Sequence, residues 1–347
     1  MYHPTMRSAA LDVTTPLPRS KRRRPATPLL GLAWVLACEA LLFADVYLAD
    51  RGRIHTTADR LAVPPATHLF AHVARWAAIN FTAIVWVGYL ILLEGLLTWV
   101  NGQSPIRRRP HHFLLLALAS VFIWAVFDLI NFNLGMRAWL YIGMPGTPGI
   151  PGHFGNRAFG YFLAFATIVP GMLLSGQLLL DLGLFNWARA RGRDGAGGFR
   201  MPHWGLWASL AAGAAMLAWV MVARTPITNY VLWTSLVFLL DPINYWLGRP
   251  SMFRDWERGW FGRTLAAMAG GLLCGFLWEF WNYWALTKWT YHLPFLGAAE
   301  HYRYFEMPLP GLLGFIPFGI ECWVMWQLIR IPLDGLVEPL PDDRTLL

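Results

Sequence analysis

The chain is 347 residues long, 56% hydrophobic and only 14% charged, with 20 tryptophans and a formal charge of +8. That balance excludes an ordinary soluble globular domain and places the chain among membrane proteins. Its three cysteines include no Cys-x-x-Cys pair, which excludes a disulfide framework or a zinc site.

Residues 1–27 carry Pro4, Pro16, Pro18 and Pro25 among basic and small polar residues and read as a disordered basic cytoplasmic tail. Apolar segments of about twenty residues, long enough to cross ~30 Å of hydrocarbon as helices, follow at 28–49, 79–100, 113–134, 158–183, 204–224, 227–247, 262–287 and 309–331. The predicted fold is all-α, a polytopic membrane helix bundle of about eight transmembrane helices. Glu39 inside the first apolar run argues for a retained anchor over a cleaved signal peptide. Residues 184–203, rich in Gly and Arg, form a predicted cytoplasmic linker, and 332–347 a cytoplasmic tail. Most Lys and Arg residues collect on the side of the N-terminus, so both termini are predicted cytoplasmic in a cell inner membrane. The basic runs Lys21–Arg24 and Arg107–Arg109 flank spans and read as topology signals, with no nucleic-acid partner.

The chain repeats itself. Trp86, Glu94 and Trp99 recur as Trp233, Asp241 and Trp246, each 147 residues on, and Pro170 recurs as Pro317 at the same offset. Asp128, Asn131 and Arg137 recur as Glu279, Asn282 and Lys288, each 151 residues on. The expected organisation is a first four-helix membrane repeat over 28–183 and a second over 204–331. Four spans in each make the repeats parallel, with a site in the cleft between them.

Asp128 with Asn131, and Glu279 with Asn282, stand one helical turn apart on a single face. A carboxyl group stripped of water is able to hold a proton near neutrality and donate it, with the Asn orienting it. Ionisable residues within membrane spans mark function, although bonds between neighbouring helices are the plain alternative. The candidate catalytic set is Glu279, Asn282, Glu306, Asp128, Asn131 and Lys288, with Lys288 and Arg137 as counter-charges. Trp278, Trp281, Trp284, Trp289 and Tyr291 are the candidate substrate-binding surface, because aromatic faces stabilise cations. Tryptophan and tyrosine also gather at membrane interfaces whatever the function.

Glu94 and Asp241, near the cytoplasmic ends of their spans, read as helix-terminal groups with water access. The loop 135–157, with Pro145-Gly146, Pro148-Gly149 and Pro151-Gly152, reads as a stiff, turn-rich connection, and 288–308 as a lid. His292, Glu300, His301 and Glu306 match no metal-ligand spacing, and no phosphate loop or haem motif is present. No metal or cofactor is assigned.

Phe276-Leu277-Trp278-Glu279, then Lys288-Trp289-Thr290-Tyr291, then Met307-Pro308-Leu309-Pro310-Gly311 resemble, across about 55 residues, the small polytopic lycopene cyclase domains of carotenoid biosynthesis. Those domains carry an aromatic-acid step, then Gly-x-Trp-x-aromatic, then Pro-Leu-Glu-Glu opening the next helix. Trp124, Asp128, Trp139 and Tyr141 are faintly similar in the first half. The paired glutamates, where the resemblance would put protonation, stand here as Pro310 and Gly311, and the nearest acid is Glu306. The resemblance implies a related two-half architecture and a polyisoprenoid or lipid substrate.

The expected function is an integral membrane enzyme acting by acid–base chemistry on an apolar isoprenoid or lipid, as a cyclase, isomerase or hydratase would. A proton- or cation-coupled transporter and a non-catalytic membrane scaffold are the alternatives. The expected partner is the membrane lipid or isoprenoid substrate, and a homo-oligomer is open.

Overall fold

The computed structural model describes residues 26–50, 67–102, 104–133, 135–143, 154–188, 200–331 and 345–347. The predicted N-terminal tail, the Pro-Gly stretch and most of the linker and C-terminal tail lie outside these residues. In chain order the helices are α1 (Thr27–Asp50), α2 (Leu69–Ile79), α3 (Phe81–Asn101), α4 (Pro105–Arg108), α5 (Pro110–Asn133), α6 (Phe154–Ala166) and α7 (Ile168–Asp181). They continue as α8 (His203–Ala223), α9 (Thr228–Trp246), α10 (Met252–Glu257), α11 (Gly262–Trp284), α12 (Leu309–Leu312) and α13 (Phe315–Ile329).

Among the described residues, seven helical stretches are long and apolar enough to cross a membrane: Thr27–Tyr47, Phe81–Asn101, Pro110–Phe132, Gly160–Asp181, His203–Ala223, Gly262–Trp284 and Leu309–Ile329. The chain is a multi-pass membrane helix bundle. The expected span at 227–247 does form a helix, α9, of 19 residues. Thr228, Thr234, Ser235, Asp241 and Asn244 leave it less apolar than the other seven, and it packs against α8 and α13.

Two expected spans are interrupted for one reason. Proline lacks an N–H and its ring clashes with the carbonyl four residues back. Pro170 accordingly separates α6 from α7 at Thr167, and Pro317 separates α12 from α13 at residues 313–314. The all-α expectation needs amendment in both loops as well. Strand β1 (Trp139–Ile142) pairs with β2 (Lys288–Tyr291), and β3 (Arg303–Tyr304) pairs with β4 (Met307–Pro308). Helix α2, half the length of a span, also went unpredicted; it lies on α1, joined by a buried Arg75–Asp45 ion pair at 2.7 Å.

Helices α3, α7, α11 and α13 form the interior, with α1 against α3 and α8 against α9. Lipid tails are as apolar as leucine, so helices in a bilayer associate through close backbone approach and polar contacts. Gly270 faces the backbone of Met172 and Gly176 on α7, and Gly271 faces the backbone of Phe315 and Gly319 on α13. A Cβ at either glycine would overlap main chain, which cannot move aside as a side-chain tip can.

At the ends of the bundle far from β1 and β2, the buried acids Glu94 and Asp241 cap short helices; they do not face water. Glu94 Oε2 accepts from Ile106 N at 3.3 Å, and Ser104 Oγ accepts from Arg107 N at 2.8 Å. Asp241 accepts from Met252 N at 2.8 Å and Phe253 N at 3.1 Å, and Ser251 Oγ accepts from Arg254 N at 3.1 Å. These oxygens satisfy helix N–H groups that have no intrahelical partner. The last three residues are packed in place: Leu346 is buried, and its N–H donates to Gln177 Oε1 at 2.7 Å.

Overpacking at Gly271 should cost about 1–3 kcal/mol. Gly271→Val therefore lowers the thermal unfolding midpoint of the purified protein, whereas Ala215→Val on the exposed face of α8 leaves it in place. Equal midpoints for the two variants would show that α11 is not held by this contact.

Candidate functional site

Helices α5 and α11 both end beside the same ribbon, and each returns the chain into one of its strands. The turn after α5 passes through Arg137, exposed and in the left-handed region at φ 49°, with its N–H donating to Asn131 O at 3.0 Å. The turn after α11 is tied to the α2–α3 corner: Leu286 N donates to Ala78 O at 3.0 Å, and Thr287 Oγ1 donates to Ile79 O.

Strands β1 and β2 are antiparallel, with Trp139 opposite Tyr291 and Tyr141 opposite Trp289. Alternate residues of a strand point to one face, so all four rings project from the same side of the ribbon. Leu140, between them, is exposed on the other side. The outer edge of each strand is closed by an asparagine. Asn131 Nδ2 donates to Trp139 O at 2.8 Å, and its Oδ1 accepts from Ala138 N at 2.8 Å and Trp139 N at 3.4 Å. Asn282 Nδ2 donates to Trp289 O at 2.8 Å, and its Oδ1 accepts from Trp289 N at 2.9 Å. Both asparagines thus position strands and not, as expected from spacing, the neighbouring acids.

The acids meet the rings of the ribbon. Asp128 Oδ1 accepts from Trp139 Nε1 and from Tyr141 Oη, both at 3.0 Å, and Tyr141 also reaches Oδ2 at 3.2 Å. Glu279 Oε1 accepts from Tyr291 Oη at 2.7 Å and from Trp289 Nε1 at 3.4 Å. The pattern is one carboxyl group, one indole and one phenol in each case. The two differ in burial and satisfaction: Glu279 is fully buried, and its Oε2 meets no hydrogen-bond partner among the described residues.

Burial pushes the Tyr291 phenol well above its ordinary range, and the Glu279 carboxyl beside it acts in the same direction. Tyr141 is displaced the same way by burial and by Asp128. Both phenols keep their protons and act as donors.

The ribbon rings face a cavity of about 130 Å³. Trp124, Phe165, Trp233, Trp278, Phe315 and Phe318 line it with Trp139, Tyr141, Trp289 and Tyr291. Trp233 packs edge-on to Phe318 at 4.8 Å between centroids and lies 6.0 Å from Trp139. Trp124 Nε1 donates to Tyr141 Oη at 3.0 Å. The acids stand behind this wall, separated from the cavity by the tyrosines and tryptophans they bind.

Of the expected binding surface, Trp278, Trp289 and Tyr291 line the cavity, as does Lys288. Trp281 and Trp284 do not. Each step of three residues on a helix falls about 60° short of a full turn, so they face α1: Trp281 Nε1 donates to Glu39 Oε1 at 3.0 Å, and Trp284 packs on Phe43 at 5.7 Å. Lys288 is not the counter-charge of Glu279. Its Nζ pairs with Glu306 at 2.6 Å and lies 5.0 Å from the Tyr283 ring centre. Glu300 is taken by Leu293 N at 3.0 Å and by Arg303.

Sequence reasoning found Trp233 only as the repeat of Trp86, and missed Phe318 and the role of the paired tyrosines. The Trp-x-Tyr spacing at 139/141 and 289/291 was the available signal, since alternating aromatics mark strands. Gly311, where the cyclase resemblance would place a glutamate, lies in the cavity wall beside the Met307 sulfur. Among known proteins no family model, no curated relative and no solved structure matches this chain.

The displaced phenols give a pH prediction with a definite sign. The neutral form is favoured in the folded state, so their stabilising effect is complete below the ordinary phenol range near pH 10 and is lost as pH rises through the higher folded values. Alkaline difference absorbance of the folded protein should therefore leave at least two of the 11 tyrosines un-ionised at about pH 11. Ionisation of all of them below that pH would contradict the buried hydrogen bonds.

Proposed function

We propose that this membrane protein is an enzyme acting by acid–base chemistry on an apolar isoprenoid or lipid substrate bound in the aromatic cavity. The observation that carries the reading is the pair of carboxyl–indole–phenol sets at one apolar, ring-lined wall. Glu279 is the acid, its proton residing on Oε2, because an unpaired charged oxygen buried there would be costly. Tyr291 relays that proton: once the carboxyl turns its O–H to Tyr291 Oη, the phenol accepts it as its own proton passes to a double-bond carbon of the substrate. The carbocation so formed is sheltered by the faces of Trp139, Trp233 and Trp278. Asp128, through Tyr141, accepts a proton from a neighbouring carbon, which completes an isomerisation or a ring closure. Asn131 and Asn282 are positioning residues, and Lys288 with Glu306 forms a charged pair at the ribbon's edge. The likeness to lycopene cyclase domains supports an isoprenoid class of substrate.

The same reading takes the chain as two parallel four-helix repeats, 28–183 and 204–331, with α9 as an eighth span and both termini cytoplasmic in a cell inner membrane. Its support is the recurrence of whole hydrogen-bond sets. Glu94 with Ser104 and Asp241 with Ser251 cap short helices at an offset of 147. The strand register also pairs each Trp with the other strand's Tyr, as a two-fold relation between the halves would.

General acid catalysis is worth about 10²–10⁴-fold, so Glu279→Gln should lower conversion by at least about 10²-fold while the protein still inserts. Mass spectrometry of isoprenoid and lipid extracts from cells with wild-type or variant protein reads this. Identical profiles for wild type and Glu279→Gln would refute the acid role.

A further inference from the structure

Two hydroxyl groups in the cavity lining stand without partners among the described residues. Thr82 is the second residue of α3 and Tyr230 the third of α9, and both line the cavity wall. Their oxygens are buried, and neither meets a hydrogen-bond partner among the described residues. A threonine near a helix start ordinarily bonds back to a carbonyl three or four residues earlier. Here those carbonyls are occupied: Ala78 O accepts from Leu286 N, and Ile79 O accepts from the Thr287 hydroxyl. A buried hydroxyl without a partner is unfavourable. Each of the two, on separate helices facing one cavity, offers a hydrogen bond to a polar atom within it.

The placement within the helices adds direction. Thr82 and Tyr230 belong to the first turns of α3 and α9, whereas Trp233 lies one turn further along α9 and Trp278 sits six residues before the end of α11. Lys288, also in the lining, is on the ribbon itself. These polar groups therefore lie on the ribbon side of the cavity, where the ribbon rings also stand, and Trp233 and Trp278 lie one to two turns further along their helices.

We infer that the cavity takes an amphipathic ligand, a single isoprenoid or acyl chain ending in a hydroxyl or carbonyl oxygen. The oxygen bonds Thr82 and Tyr230, and the chain lies along Trp233, Trp278 and Phe318. The inference rests on the proposed function and narrows its substrate from any apolar lipid to an oxygenated one. An oxygen so held also fixes how far the chain enters, and hence which double bond lies against Tyr291.

The test uses full-length protein in nanodiscs, with protein-free nanodiscs as the partition control. Two probes are titrated against tryptophan fluorescence: the C20 alcohol geranylgeraniol, and the same chain with hydrogen in place of the hydroxyl. The alcohol should bind about tenfold tighter, a gap equivalent to one good hydrogen-bonded group. In the near-isosteric double variant Thr82→Val, Tyr230→Phe the gap should close to within about twofold, with hydrocarbon affinity unchanged. Either single variant carries part of the effect and serves if the double variant fails to insert. A preference for the alcohol that survives both substitutions overturns the inference. Equal wild-type affinities that both fall in Trp233→Ala also overturn it, while leaving the apolar-substrate reading in place. If neither probe binds, both readings are overturned.

Discussion

A two-stranded ribbon beside membrane helices has two open edges, and every backbone group on those edges needs a partner. Asn131 and Asn282 provide them at one residue of each edge, donating to the carbonyl and accepting from the N–H of Trp139 and of Trp289 respectively. With those groups turned outward, the pairs Trp139–Tyr291 and Tyr141–Trp289 are the non-hydrogen-bonded pairs of the ladder, in which opposite side chains come closest. The inner bonds fall at neighbouring positions, as in His292 N to Ala138 O at 3.0 Å. The four rings are thereby brought together over the cavity, and the carboxyl groups one turn before each asparagine can reach them. Without the amide bonds neither the ring cluster nor the carboxyl contacts would have a fixed geometry.

The two halves of this arrangement are alike in connectivity and unlike in chemistry. Asp128 is partly buried and both of its oxygens are bonded, so it resembles a settled acceptor. Glu279 is fully buried with one oxygen unbonded, so it retains a place for a proton. A pair of carboxyl groups in environments that differ in this way is what separate acid and base roles require. The asparagine contacts shared by the two halves carry the scaffold, and the acids are where the halves differ.

Much of the helical framework was legible in the sequence because apolar length reports it directly. The helix at 228–246 was less so, since Thr228, Thr234, Ser235, Asp241 and Asn244 dilute the apolar signal. The breaks at Thr167 and residues 313–314 were visible in Pro170 and Pro317, although a span of unbroken apolar residues conceals them. The acid–asparagine pairs were found by helical spacing, but spacing along one helix says nothing of the segment that folds back onto it. For that reason the asparagines were matched to the acids and not to the strands. Trp281 and Trp284 were drawn in by composition alone, when their angular drift from Trp278 turns them to α1. Thr82 and Tyr230 carried no signal, because an unbonded hydroxyl is a property of the assembled wall.

The central claim is that a proton passes from Glu279 through Tyr291 to carbon. Isolated membranes containing the protein, incubated in D₂O with an isoprenoid and lipid extract made in H₂O and analysed by mass spectrometry after back-exchange in H₂O, test it most directly. The account predicts a protein-dependent product with one deuterium on a non-exchangeable carbon, absent with membranes carrying Glu279→Gln and strongly reduced with Tyr291→Phe. A product that carries no such deuterium, or a deuterated product still formed by Glu279→Gln, would contradict it.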